Sequence, residues 1–380
     1  MEKIQMVDLK GQYLKIKEDV DKGIQNVIDS TAFINGPAVK VFSEHLSQYM
    51  EGCYVITCAN GTDALQIALM ALGLKPGDEV IVPAFTYVAS AEVIGLLGLV
   101  PVMVDVNPRT FNLTVENVGK ALSPKTKAIV PVHLFGQSCD MEPILAFAQE
   151  HQLYVVEDNA QAIGAVYTFN NGRKAKTGTM GTIGCTSFFP SKNLGCYGDG
   201  GALFTNDAAL ADTIRMIANH GQQVKYHHKV IGCNSRLDTI QAAVLDVKLK
   251  HLDEYCQARY EAAAYYTEKL RAFDPNETFV LTPQEATNST HVYHQYTLRV
   301  QNGKRDALKQ YLADHGVPSM VYYPLPLQEQ EAFVHITRAA ERLGIAKECA
   351  DSVLSLPIHT EMTRDVQDYI VEQVINFFKL

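Results

Sequence analysis

Lys192 lies in a setting unsuited to a surface lysine. The run TSFFPSKNLGCYGDGG, residues 186–201, surrounds it with serines at 187 and 191, with Phe188, Phe189 and Leu194, and with Gly195, Gly198, Gly200 and Gly201. The apolar neighbours predict burial. A buried ammonium is unfavourable unless it is paired, or unless its pKa falls and leaves a nucleophilic amine. Lysine amines of that kind form Schiff bases with carbonyl compounds, and a glycine cluster lets backbone come close to a ligand. The plainer alternative is a lysine that holds a turn.

Two other stretches bear on the same chemistry. CANGTDAL, residues 58–65, ends an apolar strand, turns at Gly61 and opens a helix through Thr62. Free N–H groups and the helix dipole suit such a terminus to a phosphate, although Asn and Thr are also ordinary caps. In VEDNAQ, residues 156–161, Asp158 closes an apolar strand. A carboxylate there is costly to bury unless something cationic meets it. A protonated ring nitrogen would do so, and the carboxylate would hold that nitrogen charged; a helix cap or an ion pair is the alternative. A phosphate cradle, an acid for a pyridinium nitrogen and a buried amine are together what pyridoxal 5'-phosphate requires of a protein. Tyr87, at the end of another strand, offers a ring to stack on the cofactor face.

The elements that must position these groups are legible as a rhythm. Residues 12–29 carry apolar positions at helical spacing, and a second helix follows Pro37. From about residue 54, β-branched runs (YVITC, EVIVPA, VPVMVDV, KAIVPV, LYVVEDN) alternate with helical patterns. Continuous apolar strands separated by helices predict a mostly parallel sheet covered on both faces. Further strands are expected at 184–189 and 201–205, and a long helical region from Leu237 to about Phe273. The polar stretch DPNETFVLTPQEATNST then marks a boundary. The expected architecture is a doubly wound α/β domain over residues 1–273, N-terminal helices included, and a small C-terminal α+β domain over 274–380. In such sheets ligands bind at the carboxyl ends of the strands, where ANGTDA, PAFTYVA, VHLFGQ and VEDNAQ all fall.

Composition narrows the partners. The 380 residues are 47% hydrophobic and 20% charged, ordinary for a globular chain, with 33 basic against 42 acidic residues and a net charge of −9. No clustered basic run suits a nucleic-acid surface. The N-terminus lacks the apolar core of a signal peptide and the longest apolar stretches fall short of a span, so a cytoplasmic protein without membrane partners is expected. The eight cysteines form no C-x-x-C pair and read as reduced packing residues, with no metal site. No G-x-G-x-x-G follows an early strand, which argues against a nicotinamide dehydrogenase.

Over essentially its whole length the chain resembles the DegT/DnrJ/StrS family of PLP-dependent nucleotide-sugar aminotransferases, within the fold type I aminotransferases. CANGTDAL, VPAFTYVASA, VEDNAQAIGA, TSFFPSKNLGCYGDGGALFTND and NSRLDTIQAA carry the likeness. The resemblance implies a homodimer with shared active sites that moves an amino group from L-glutamate to a keto sugar. The preferred acceptor is a UDP-linked 3-keto uronic acid of bacterial O-antigen synthesis. A dTDP- or UDP-linked 3-keto or 4-keto 6-deoxyhexose, or a non-catalytic regulatory relative, is the alternative. It makes Lys192 the cofactor-bearing lysine, Asp158 the partner of the pyridine nitrogen and Gln161 a contact of the ring hydroxyl. Gly61, Thr62 and Ser187 hold the phosphate, Tyr87 stacks on the ring, and Asn234 reaches the phosphate from the second subunit. Arg236, Tyr322, Tyr323 and His220 are the implied substrate contacts.

Overall fold

The computed structural model describes residues 3–339 and 343–380. Its centre is an eight-stranded sheet in the order Tyr54–Cys58, Gly201–Thr205, Ile183–Ser187, Tyr154–Asp158, Thr126–Ile129, Glu79–Pro83, Val100–Val104, Arg338–Ala339. The strands run parallel except Gly201–Thr205, which is antiparallel to both neighbours. Side chains alternate across it: Val80 and Val82 enter one apolar cluster while Ile81 enters another, and Val156 and Val155 divide the same way. Both faces are therefore buried, which is why these strands read as unbroken apolar runs. Helices Gly61–Ala71, Ala89–Leu96, Met141–Glu150 and Ala208–Ala218 each bury an apolar stripe.

The strand at 201–205 falls where the sequence placed it, but its direction is not what strand–helix alternation suggests. A parallel return requires a crossover, usually a helix. Residues 188–200 form no helix; they fold into the loop that presents Lys192. Within that loop Phe188 and Leu194 are fully buried, whereas Phe189, also expected inside, is more than half exposed. The long helical region from 237 resolves into two helices, Thr239–Leu249 and Leu252–Phe273.

A three-stranded antiparallel sheet, Val280–Leu281, Tyr296–Val300 and Val353–Leu356, lies beyond. Helices Arg305–Asp314 and Arg364–Lys379 pack on it around Tyr266, Leu298, Leu308, Leu354 and Ile370. The chain between returns to the large sheet. The N–H of Leu327 donates to the carbonyl of Ala84 at 2.8 Å, and Arg338–Ala339 adds to the edge at Val100–Val104. Arg338 donates to Glu79 at 2.8 Å, and the carboxylate of Asp105 accepts from the N–H groups of Ile345 and Ala346, at 2.9 and 2.6 Å, at the start of helix Gly344–Ser352. No helix among the described residues is long and apolar enough to cross a membrane.

Candidate active site

The strand Tyr154–Asp158 delivers two adjacent carboxylates to opposite faces of the sheet. Glu157 is saturated: it accepts from the N–H groups of Gly178, Met180 and Gly181 at 2.8, 2.7 and 2.6 Å and from His133 Nε2 at 2.8 Å. His133 Nδ1 accepts from the N–H of Cys139 at 3.1 Å, which assigns the ring proton to Nε2. This pair anchors the strand end. Asp158, 5% exposed, is different. Its two contacts are neutral donors, the Ser90 hydroxyl at 2.7 Å and the N–H of Ala160 at 3.1 Å. No Lys or Arg among the described residues pairs with it, so this buried carboxylate is suited to accept a cation from outside the chain.

Lys192 is half-buried, and its side-chain nitrogen makes no hydrogen bond or ion pair among the described residues. Burial pulls its pKa down to about 8, against the opposing charge of Asp158, which raises it. Amine and carboxylate thus act on each other. Because the free amine is the nucleophile, the rate at which apoprotein takes up an aldehyde covalently at Lys192 should rise with pH to a plateau. Its midpoint should be about 8, more than two units below an ordinary lysine; stopped-flow absorbance across pH 6–10 measures it. A midpoint near 10 would contradict the buried setting.

The expected phosphate side is built from backbone. Asn60 caps helix Gly61–Ala71 by accepting from the N–H of Asp63 at 2.8 Å, and the carbonyl of Asn60 takes the N–H of Ala64 at 3.1 Å. The N–H groups of Gly61 and Thr62 are left free, as expected at a helix start. Gly61 faces the end of strand Ile183–Ser187 so closely that a Cβ there would lie 2.6 Å from Cβ of Ser187. On the same register Gly201 pairs with Cys58 and Ser187, and a Cβ on Gly201 would meet the carbonyl of Asn60 at 2.5 Å. Gly61→Ala should therefore splay the cradle, an overpacking cost of about 1–3 kcal/mol. Retention of a phosphorylated ligand should weaken by roughly tenfold or more, read by equilibrium dialysis, with the apoprotein still folded by circular dichroism.

The remaining groups sort by position. Gln161 Oε1 accepts from the N–H of Phe135 at 2.7 Å, which turns its Nε2 outward to donate to the Tyr323 hydroxyl at 3.0 Å. Tyr323, expected only near the substrate, is thus joined directly to Gln161. Tyr87, 55% exposed, leans on Tyr323 at 6.0 Å between ring centroids, and Tyr322 is half-buried beside them. Asn234 is exposed, next to Ser235, whose hydroxyl joins the N–H of Ala59 to the carboxylate of Asp63, at 3.0 and 2.6 Å. Arg236 is half-buried with no ion pair among the described residues. His220 is exposed and contributes only backbone contacts, its N–H to Cys233 at 2.7 Å and its carbonyl to the His228 ring at 2.9 Å. The structure joins its side chain to none of the groups above. Ser90 and Thr86 went unremarked in the sequence, where each is one small hydroxyl inside VPAFTYVASA.

Comparison with known proteins finds relatives along nearly the whole chain. The sequence profile of the DegT/DnrJ/EryC1/StrS aminotransferase family matches residues 14–375. The chain is 45% identical over 376 residues, 99% of each chain, to a protein of Geobacillus stearothermophilus named pleiotropic regulatory protein. It is 46% identical over 356 residues, 94% of this chain and 95% of the other, to the UDP-2-acetamido-2-deoxy-3-oxo-D-glucuronate aminotransferase of Pseudomonas aeruginosa. Among solved structures, NtdA from Bacillus subtilis with bound cofactor PMP superposes with a TM-score of 0.90 at 31% identity, covering 100% of this chain and 86% of that one.

Proposed function

The chain belongs to the DegT/DnrJ/EryC1/StrS aminotransferase family, and from that premise we propose that it transfers the amino group of L-glutamate to the keto carbon of a nucleotide-linked sugar, with pyridoxal 5'-phosphate as resident cofactor. The preferred acceptor is UDP-2-acetamido-2-deoxy-3-oxo-D-glucuronate, giving its 3-amino product for bacterial O-antigen or polysaccharide synthesis in the cytoplasm. One observation carries the reading: a buried carboxylate that makes no ion pair among the described residues, Asp158, acts on the amine of Lys192, whose pKa burial lowers to about 8. A regulatory protein that had left catalysis behind would need neither group.

The residues fit the cofactor. Gly61, Thr62 and Ser187 supply N–H and hydroxyl donors to a phosphate. Asp158 accepts from a protonated ring nitrogen and holds the proton there. Gln161 donates through Nε2 to a ring hydroxyl, and Tyr87 lies against Tyr323 where a ring would stack. When bound, the cofactor would supply an electron sink for the negative charge left on the donor carbon when its proton is removed. Lys192 takes and returns a proton at Nζ as general base and acid, a role its depressed pKa suits. The unpaired Arg236 favours a carboxylate-bearing partner, through the planar fork that matches glutamate or a uronic acid.

A homodimer with shared sites belongs to the same reading, and exposed apolar side chains support it: Phe189, Val224, Tyr226 and Ile231 all lie open in the single chain. Asn234 of one subunit would then reach the phosphate of the other, with His220 and Tyr322 at the sugar. The division of the chain at 273/274 is supported by the separate apolar cluster of the C-terminal sheet, although helix Leu252–Phe273 contributes to both sides of it. The test is a panel of UDP- and dTDP-linked 3-keto and 4-keto sugars assayed with glutamate for 2-oxoglutarate release. Turnover is expected with the UDP 3-keto uronic acid. Turnover confined to 6-deoxyhexoses would move the acceptor, and a purified protein without a borohydride-sensitive absorbance would remove the cofactor.

A further inference from the structure

Ser90 stands at the second position of helix Ala89–Leu96 and is 1% exposed; Thr86, four residues earlier, is 2% exposed. Ser90 Oγ lies 2.7 Å from Asp158 Oδ2 and 3.3 Å from Thr86 Oγ1. The direction of this chain follows from chemistry. An ionised carboxylate only accepts, so the single Ser90 proton goes to Asp158, and Thr86 must donate to Ser90. The other oxygen, Oδ1, is held by the N–H of Ala160 at 3.1 Å. Both carboxylate oxygens are thus pinned by neutral donors, one at each side, and the group lies against the first turn of a helix, whose dipole favours negative charge.

We propose that Ser90 is a positioning residue for the transamination: through Thr86→Ser90→Asp158 it fixes the carboxylate and weakens its hold on a proton, so that the proton shared with the cofactor's ring nitrogen stays on the nitrogen. This rests on the reading of Asp158 as the partner of that nitrogen. A hydrogen bond to the charged form stabilises it, and hydroxyl chains in a buried setting polarise one another. Without the Ser90 donor the carboxylate is the stronger base and is free to rotate, and the shared proton moves toward oxygen. The ring then withdraws electrons less strongly.

The test loads wild-type, Ser90→Ala, Ser90→Cys and Asp158→Asn proteins with pyridoxal 5'-phosphate carrying nitrogen-15 in its ring, and reads the ring-nitrogen resonance together with glutamate kinetics. The expected result is a pyridinium resonance in the wild type that shifts toward neutral pyridine in Ser90→Ala, with Ser90→Cys, a weaker donor of similar size, between the two. The kcat should fall about tenfold or more in Ser90→Ala with KM for glutamate changed less. If Asp158→Asn moves the resonance and Ser90→Ala leaves it at the wild-type position, Ser90 only fills space and the proposal is overturned. If Asp158→Asn leaves it unmoved as well, the reading of Asp158 falls and the role of Ser90 falls with it.

Discussion

Lys192→Ala should lose at least about 10³-fold in kcat with glutamate, the largest effect of any single substitution in this chain. Two functions go at once. On the proposed reading the amine that would hold the cofactor covalently is removed, and with it a nitrogen that has no hydrogen-bond or ion-pair partner among the described residues and a pKa of about 8. Alanine leaves Phe188 and Leu194 in their buried positions, so the fold should persist and the cofactor should remain bound through the cradle at Gly61, Thr62 and Ser187. The variant should therefore be coloured by noncovalent cofactor yet lack the borohydride-trappable bond to the chain, as mass spectrometry of the reduced protein will read. Small primary amines added to the buffer should restore a little turnover. A Lys192→Ala protein that converts its bound cofactor when given glutamate alone would falsify the assignment of Lys192 as the base.

Asp158→Asn should be the second largest, with kcat down about 10²–10³-fold, the range seen when one preorganised electrostatic partner is removed. An amide has the same shape but no charge to hold a proton on a ring nitrogen. The substitution has two signatures that separate it from simple damage. The charge of Asp158 raises the Lys192 pKa against the effect of burial, so its removal should move the midpoint of covalent uptake to below the wild-type value of about 8. In the absence of cofactor the melting temperature should change little, because Asp158 is held by neutral donors and makes no ion pair among the described residues. A fall in both activity and apoprotein stability, with the uptake midpoint unchanged, would mean that Asp158 serves the fold alone.

Much of this site was readable because its parts sit where strands stop. Asp158 and Ser187 end strands, Gly61 and Lys192 follow strand ends within a few residues, and a polar group at the end of a doubly buried strand demands a reason. The covered sheet was readable for the same cause, since Val80, Ile81 and Val82 leave no polar face. What escaped was information carried by pairs far apart in the chain. Gln161 and Tyr323 meet across 162 residues, and Ser90 acquires its meaning from Asp158, 68 residues away. Period and composition do not carry such pairings. The same holds for direction: Gly201–Thr205 has the apolar character of its neighbours, and only the absence of a crossover helix makes it run backwards. Phe189 was assigned to the interior on hydrophobicity alone, although the loop turns its ring outward.

The strand Arg338–Ala339 caps one border of the central sheet, and this has a bearing on how the chain behaves while it is being made. Until the ribosome has released that stretch, Val100–Val104, apolar throughout, has unsatisfied amides along its outer side, the kind of template on which other chains polymerise. Nascent or prematurely terminated products ending before residue 338 should accordingly be sticky and depend on chaperones more than a chain that carries its own edge strand at Arg338–Ala339.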